Sequence, residues 1–165
     1  MKLVDPKHPA LHTVANINPF DTDIDWAEHE QEMFKIMHDK IGIGLAAPQL
    51  GDSYNMFVMT HSSKGDIGIY NPQILASSEE KVVMEEGCLT FPLLFLHLSR
   101  PKTVIVRYQS VDQETLEETF DGLDARVFQH EHEHLQGKTY LDNASDLKLQ
   151  RAMKQREKAF KRLGI

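Results

Sequence analysis

The run His130-Glu131-His132-Glu133-His134 constrains this chain more than any other stretch. It contains the pattern H-E-x-x-H. In an α-helix, residues four apart share a face, so His130 and His134 can offer two imidazole nitrogens to one ion. Glu131 then lies beside them, within reach of a water activated by that ion. The helix is predicted to begin near Asp121, with Asp121 and Asp124 in the relation of cap and third residue. Leu123, Val127, His130 and His134 fall on one face, and Gly137 ends the helix. The plain alternative is a charged helix with chance histidines, since the chain holds nine. His132 is read as a solvated surface residue. Glu133 is either a hydrogen-bond partner that steadies the ligands or an ordinary surface acid.

Two ligands do not complete a catalytic site, which normally takes three protein ligands and keeps one position open. The metzincin pattern would put a third histidine where this chain has Tyr140. A downstream glutamate, as in thermolysin-like enzymes, could only be Glu157, which is better placed to pair with Lys154 or Lys161. That leaves Cys88, the only thiol. A lone cysteine is commonly a small buried hydrophobe, so the spacing alone leaves the third ligand open.

Around this helix the chain reads as α+β: short, mostly antiparallel strands packed about a central metal-binding helix, with a basic helix at the C-terminus. A helix is predicted over 25–39, with Trp26, Met33, Phe34 and Met37 at helical spacing and Asp21 or Asp23 as cap. Strand candidates are Met56–Thr60, Ile67–Tyr70, Lys81–Glu85, Thr103–Gln109 and Leu116–Phe120. Pro72, Pro92 and Pro101 are expected between strands. The apolar stretch Phe91–His97 is read as a loop. A last helix is predicted over 146–163, with Leu149, Met153, Phe160 and Leu163 as its apolar stripe. The expected division is a catalytic domain, residues 1–145, and an appended basic helix, residues 146–165.

Composition narrows the function classes. A chain of 165 residues, 41% hydrophobic, can build one core without disulfides, and its single cysteine can form none within the chain. No apolar segment approaches the length needed to span a bilayer, and the N-terminus lacks a signal-peptide core. The expected location is therefore the cytoplasm. The net charge of −7 hides an asymmetry. Residues 147–165 carry Lys148, Arg151, Lys154, Arg156, Lys158, Lys161 and Arg162 against Glu157, a net of +6, while the rest of the chain is at −13. A basic tail on an acidic body suits contact with a polyanion, or packing of the helix on the body itself.

Three motifs then stand in order: Gly42-Ile43-Gly44-Leu45-Ala46-Ala47-Pro48-Gln49, Glu86-Gly87-Cys88-Leu89-Thr90, and Gln129-His130-Glu131-His132-Glu133-His134-Leu135-Gln136-Gly137. Together they resemble the peptide deformylases, whose pattern is G-x-G-L-A-A-x-Q, E-G-C-L-S and Q-H-E-x-D-H-L-x-G. The likeness extends to Asp5-Pro6 and Arg100-Pro101. It implies that Cys88, His130 and His134 hold one divalent metal, iron(II) in the cell with zinc or nickel able to substitute. It implies Glu131 as general base and acid, with the Gln49 side chain and the Leu89 backbone N–H stabilising the oxyanion. It implies that Ile43, Gly44 and Leu45 pair with an extended substrate backbone. Met84, Leu123, Val127 and His130 would border the methionine side chain, with Gly87 a further substrate-binding residue, although Met84 and Leu123 also fit ordinary core packing.

The implied reaction is hydrolysis of the formyl group from N-formyl-methionyl nascent chains, releasing formate. The implied partner of the basic helix is the ribosome, with no sequence-specific nucleic acid and no membrane. Two departures from the family pattern are Thr90 for the usual Ser and Glu133 for the usual Asp. A zinc metallopeptidase, or a binding relative without catalysis, are the rival readings. The first would cleave internal peptide bonds, and the second would have no use for Glu131.

Overall fold

The computed structural model describes residues 1–165. It contains three α-helices, α1 (Trp26–Asp39), α2 (Gly122–Leu135) and α3 (Asp146–Leu163). The seven strands are β1 (Gly44–Ala46), β2 (Met56–His61), β3 (Gly65–Ser77), β4 (Lys81–Cys88), β5 (Phe91–Pro101), β6 (Thr103–Gln109) and β7 (Thr115–Asp121). Five strands form one antiparallel sheet in the order β1-β2-β3-β6-β7, and β4 and β5 form a separate antiparallel ribbon. The α+β reading is thereby met.

Strand β2 shows how the layers arise. Its run Met56-Phe57-Val58-Met59 is fully buried because the strand is covered on both faces. Met56 and Val58 join Trp26, Met33, Phe34 and Met37 of α1 in one core cluster. Phe57 and Met59 join Ala125, Val127, Phe128 and Leu135 of α2 in another. Strand β6 makes the same point by alternation, with Val104, Val106 and Tyr108 buried and Ile105 exposed. A third cluster joins Leu94, Leu96 and Leu98 of β5 to Tyr140 and to Ala152 of α3. Helix α2 therefore lies between the large sheet and the β4–β5 ribbon, and ten of its fourteen residues are buried, charged ones included.

Several expectations are corrected. Phe91–His97 is not a loop but most of β5, in which Leu94, Leu96, Leu98 and Arg100 point inward while Phe95, His97 and Ser99 point out. An outward phenylalanine hides the alternation in the sequence. Pro92 and Pro101 lie within that strand. Pro72 lies inside β3, where a register shift between Tyr70 and Gln73 relieves the missing donor. Asp25 caps α1, accepting from the Glu28 N–H, in place of Asp21 or Asp23. Asp121 sits at the cap of α2, but its carboxylate accepts from the Thr103 hydroxyl (2.6 Å), and Asp124 accepts from the Ser62 N–H (2.9 Å) and hydroxyl. On α3, Ala152 is buried and Leu149 and Phe160 are half-buried, but Met153 and Leu163 stand out in solvent. Lys148 and Arg156 donate to the His97 and Pro92 carbonyls of β5, so α3 is docked on the ribbon. No helix is long and apolar enough to cross a membrane.

Candidate active site

The site forms where α2 meets the end of β4. One helical turn stacks His130 over His134, and the β4 strand ends at Cys88 in a bulge opposite Phe91. The ligand atoms of Cys88, His130 and His134 lie within 4.8 Å of one another, with Cys88 Sγ 3.4 Å from His134 Nε2. Tetrahedral coordination by thiolate and imidazole separates neighbouring ligand atoms by about 3.5 Å, so the donor set fits a single divalent cation. Burial opposes charge on His130, yet its contacts with Cys88 and Glu86 outweigh that and carry its pKa up to about 10. Burial, and the charge on His130, drive His134 down to about 3.

Behind the ligands lies a buried network that the motifs alone did not reveal. His130 Nδ1 is 2.8 Å from Glu86 Oε1, which leaves Nε2 to face Cys88 and His134. Glu86 also accepts two bonds from Arg100 (2.6 and 2.9 Å) and one from Arg126 (2.7 Å). Burial opposes its charge, but His130, Arg100 and Arg126 hold its pKa down at about 2. Arg126 further donates to the Leu98 and Val82 carbonyls, tying α2 to both strands of the ribbon. His134 Nδ1 has no such partner.

Alternation along β4 offered a weak signal for Glu86, two residues before Cys88, although the bulge between them interrupts the register. Arg126 likewise precedes His130 by four residues on the ligand face. Glu133 does not touch a ligand. It is held by Arg100 (2.7 and 3.0 Å) and Asn143 (2.9 and 3.0 Å). His132, expected in solvent, is half-buried and stacks on Phe128, because α2 has a second covered face. Tyr140 packs its ring 5.3 Å from that of His130 and donates to the Leu94 carbonyl.

Glu131 is buried and lines the same cavity as Cys88 and His130. Its Oε2 has no hydrogen-bond partner in the protein. Burial raises its pKa to about 7; His130 pulls it down and Glu86 pushes it further up. Gly44 is what lets the carboxylate sit there, since a Cβ at that position would collide with Glu131 Oε1. Gln49 is fixed at its other end, where Oε1 accepts from the Ala46 N–H (2.8 Å). Its Nε2 points to Thr90 Oγ1 (3.1 Å) and Cys88 Sγ (3.4 Å). The hydroxyl that Thr90 keeps in place of Ser is thus in use.

The cavity, about 320 Å³, is of the size that small ligands take. Ile43, Gly44, Gly87, Leu89, Leu123 and Val127 all line it. Leu45 is fully buried behind the wall. Met84 is not part of the lining: it pairs across the ribbon with Leu98. Four residues of extended strand put it about 13 Å from Cys88. Of the expected substrate-binding residues, Met84 and Leu45 do not line this cavity. Glu157, the rejected ligand, pairs with Lys161 (2.7 Å) at the surface.

Residues 1–150 match the family described as polypeptide deformylase. Over 118 residues the chain is 45% identical to the peptide deformylase of Thermotoga neapolitana, a stretch that covers 72% of this chain and 71% of that one. The peptide deformylase of Bradyrhizobium diazoefficiens is 40% identical over 139 residues, covering 79% and 80% of the two chains. Among solved structures, the fold is similar to that of a peptide deformylase from Legionella pneumophila, with a TM-score of 0.85, 34% identity and coverage of 99% and 96%.

Proposed function

This chain belongs to the polypeptide deformylase family and has peptide deformylase activity, and on that premise we propose how its residues divide the work. The observation that carries the assignment is the unpartnered Glu131 carboxylate beside the Cys88, His130 and His134 donors, inside one cavity. Those three would hold a divalent cation, iron(II) by the family resemblance, with zinc or nickel as substitutes. Bound there, it would supply Lewis acidity toward the formyl carbonyl and the attacking water.

Glu131 takes the proton of the attacking water as oxygen bonds to the formyl carbon. It returns that proton to the amide nitrogen as the C–N bond breaks, which yields formate and a free amine. A carboxyl whose pKa sits near neutrality suits both halves of that transfer. The Gln49 Nε2 and the Leu89 backbone N–H donate to the oxyanion. Gln49 arrives in place because Ala46 and Thr90 fix both ends of its amide. Strand β1 is an edge of its sheet. Its residues Gly44 and Leu45, with Ile43, accept the formyl-methionyl chain end as an added strand. Leu123, Val127 and His130 border the methionine side chain, with Gly87 a further substrate-binding residue on the same lining and Met84 proposed on the ribbon beside it.

The test is formate release from a formyl-Met-Ala peptide by anaerobically purified protein, with metal content measured on the same sample. Formate without backbone cleavage, and metal near one equivalent per chain, is the expected result. Internal cleavage, or turnover unchanged in Glu131→Gln, would sink the assignment.

Residues 1–145 form the catalytic unit in this proposal and α3 its appendage. The ribosome is the proposed partner of α3, and that setting accords with a cytoplasmic enzyme. Support comes from Lys154, Lys158, Lys161 and Arg162, all exposed on α3. Truncation would uncover the cluster around Ala152, so charge reversal of these four is the cleaner probe. Reversal should abolish salt-sensitive sedimentation with ribosomes and leave formate release intact. Unchanged sedimentation would refute the contact.

A further inference from the structure

The mouth of the cavity has an apolar rim, of which the steps above use Ile43 and Leu123 but not Ile41 and Phe95. Ile41, Ile43, Phe95 and Leu123 all line the cavity, and each is exposed, Ile41 by 94%. Ile41 is unusual in its backbone as well. It follows the C-terminus of α1, where its N–H bonds to the His38 carbonyl and the next N–H, of Gly42, reaches back to Met37. That is the helix stop in which the residue at this position takes a left-handed conformation, normally filled by Gly or Asn. Here φ is +59° at a β-branched residue, a conformation such side chains rarely adopt. Nothing in the fold compensates it by packing, since the side chain lies in solvent. Backbone strain kept at the edge of a site directs attention to function.

Across the mouth, Phe95 is an outward residue of β5 whose ring lies over Gly87. A Cβ on Gly87 would meet it at 2.9 Å, so the ring has a seat but an open face. Lys40 and Glu85 add one charge of each sign to the lining, so neither sign is favoured in a ligand.

We infer that Ile41 and Phe95 contact the two residues that follow formyl-methionine, and that this enzyme favours chains with apolar residues there. The inference rests on the deformylase reading and deepens it. Methionine fills the inner cavity, and the next residues of an extended chain leave it past these two exposed lining side chains. Apolar side chains cover the rim and are themselves covered, whereas glycine leaves it bare and charged residues are desolvated against it.

The experiment compares kcat/KM for formyl-Met-Leu-Leu, formyl-Met-Gly-Gly, formyl-Met-Glu-Glu and formyl-Met-Lys-Lys on the metal-loaded enzyme, in wild type, Ile41→Gly and Phe95→Ser. The wild type should prefer Leu-Leu over Gly-Gly by about tenfold, and over both charged peptides by at least as much. Each variant should shrink the Leu-Leu to Gly-Gly ratio by about threefold or more, through KM. A merely structural defect would lower all four peptides together and leave the ratio alone. Ile41→Gly should also raise Tm by about 2–4 °C, because it relieves the strained backbone. A wild-type ratio near one, or a ratio unmoved in both variants, overturns the rim with deformylation intact. No formate from any peptide overturns the activity itself, and the rim with it.

Discussion

Glu86 and Glu131 are two buried glutamates at one site, and their surroundings could hardly differ more. Glu86 is met by Arg100, Arg126 and His130, and every one of its bonds is to a fixed donor. Its charge is neutralised in place, and it stays ionised down to about pH 2. Glu131 is as deeply buried, yet one carboxylate oxygen meets no donor and its pKa is near 7. Burial alone therefore does not mark a catalytic acid. A satisfied buried carboxylate is scaffold, and a buried carboxylate left unsatisfied at the wall of a cavity is available for proton transfer.

The largest expected effect comes from removing the proton carrier. Glu131→Gln should lower kcat/KM for a formyl-Met peptide by about 10²–10⁴-fold without loss of fold. Gly44→Ala tests the same carboxylate from the other side. The added methyl displaces Glu131, and a misplacement of that size should cost about 10²-fold, with metal content unchanged. Circular dichroism and metal analysis on both variants separate lost chemistry from lost structure.

Glu86→Gln should act on the ligands instead. It leaves Arg100 and Arg126 buried beside a neutral group and frees the His130 ring. Metal affinity should fall about 10–100-fold, and stability by about 3–5 kcal/mol. The two substitutions also tilt stability with pH in opposite senses, which metal-stripped protein can show by thermal melts. The folded pKa of Glu86 lies below its ordinary 4.5. Its contribution is therefore present above pH 4.5 and lost as pH falls toward 2. The folded pKa of Glu131 lies above its ordinary 4.5. Its charge therefore costs stability increasingly as pH rises from 4.5 through 7. Glu131→Gln should raise Tm at pH 8 and have no effect near pH 4. Parallel pH dependence in the two variants would remove the distinction between these glutamates.

The helix with its histidines, the antiparallel strands and the basic C-terminal helix were legible because hydrophobic period is a local signal, whereas the caps of α1 and α2 were not. So was the convergence of Cys88 with His130 and His134, once three motifs were taken together. What stayed hidden is long-range. His130 and its partner Glu86 are 44 residues apart, and no local rule connects them. Arg126 reads as surface because arginines usually are. The fold buries it between helix and ribbon, where Glu86 and two carbonyls take up its donors. Strand β5 was obscured for the opposite reason. Its inward leucines are interrupted by an outward Phe95 at the cavity mouth, so a residue facing the site disguised the strand that carries it.

The smallest expected effect lies at Glu133, where the family pattern has Asp. The longer arm lets this carboxylate bridge Arg100 and Asn143, and so ties the ligand helix to the 3₁₀ turn Tyr140–Asn143 that precedes α3. Glu133→Asp should keep the Arg100 bond and lose the reach to Asn143. The cost should be about 0.5–1.5 kcal/mol in urea unfolding, with kcat/KM changed less than threefold because Glu86 still holds Arg100. If the extra methylene serves that bridge, Asn143→Ala should cost a similar amount, and the double variant little more than either alone. Additive losses would mean that Glu133 and Asn143 act separately. In that case the buried network ends at Arg100, and Glu133 is a half-exposed counter-charge rather than the outermost member of the scaffold that Glu86 begins.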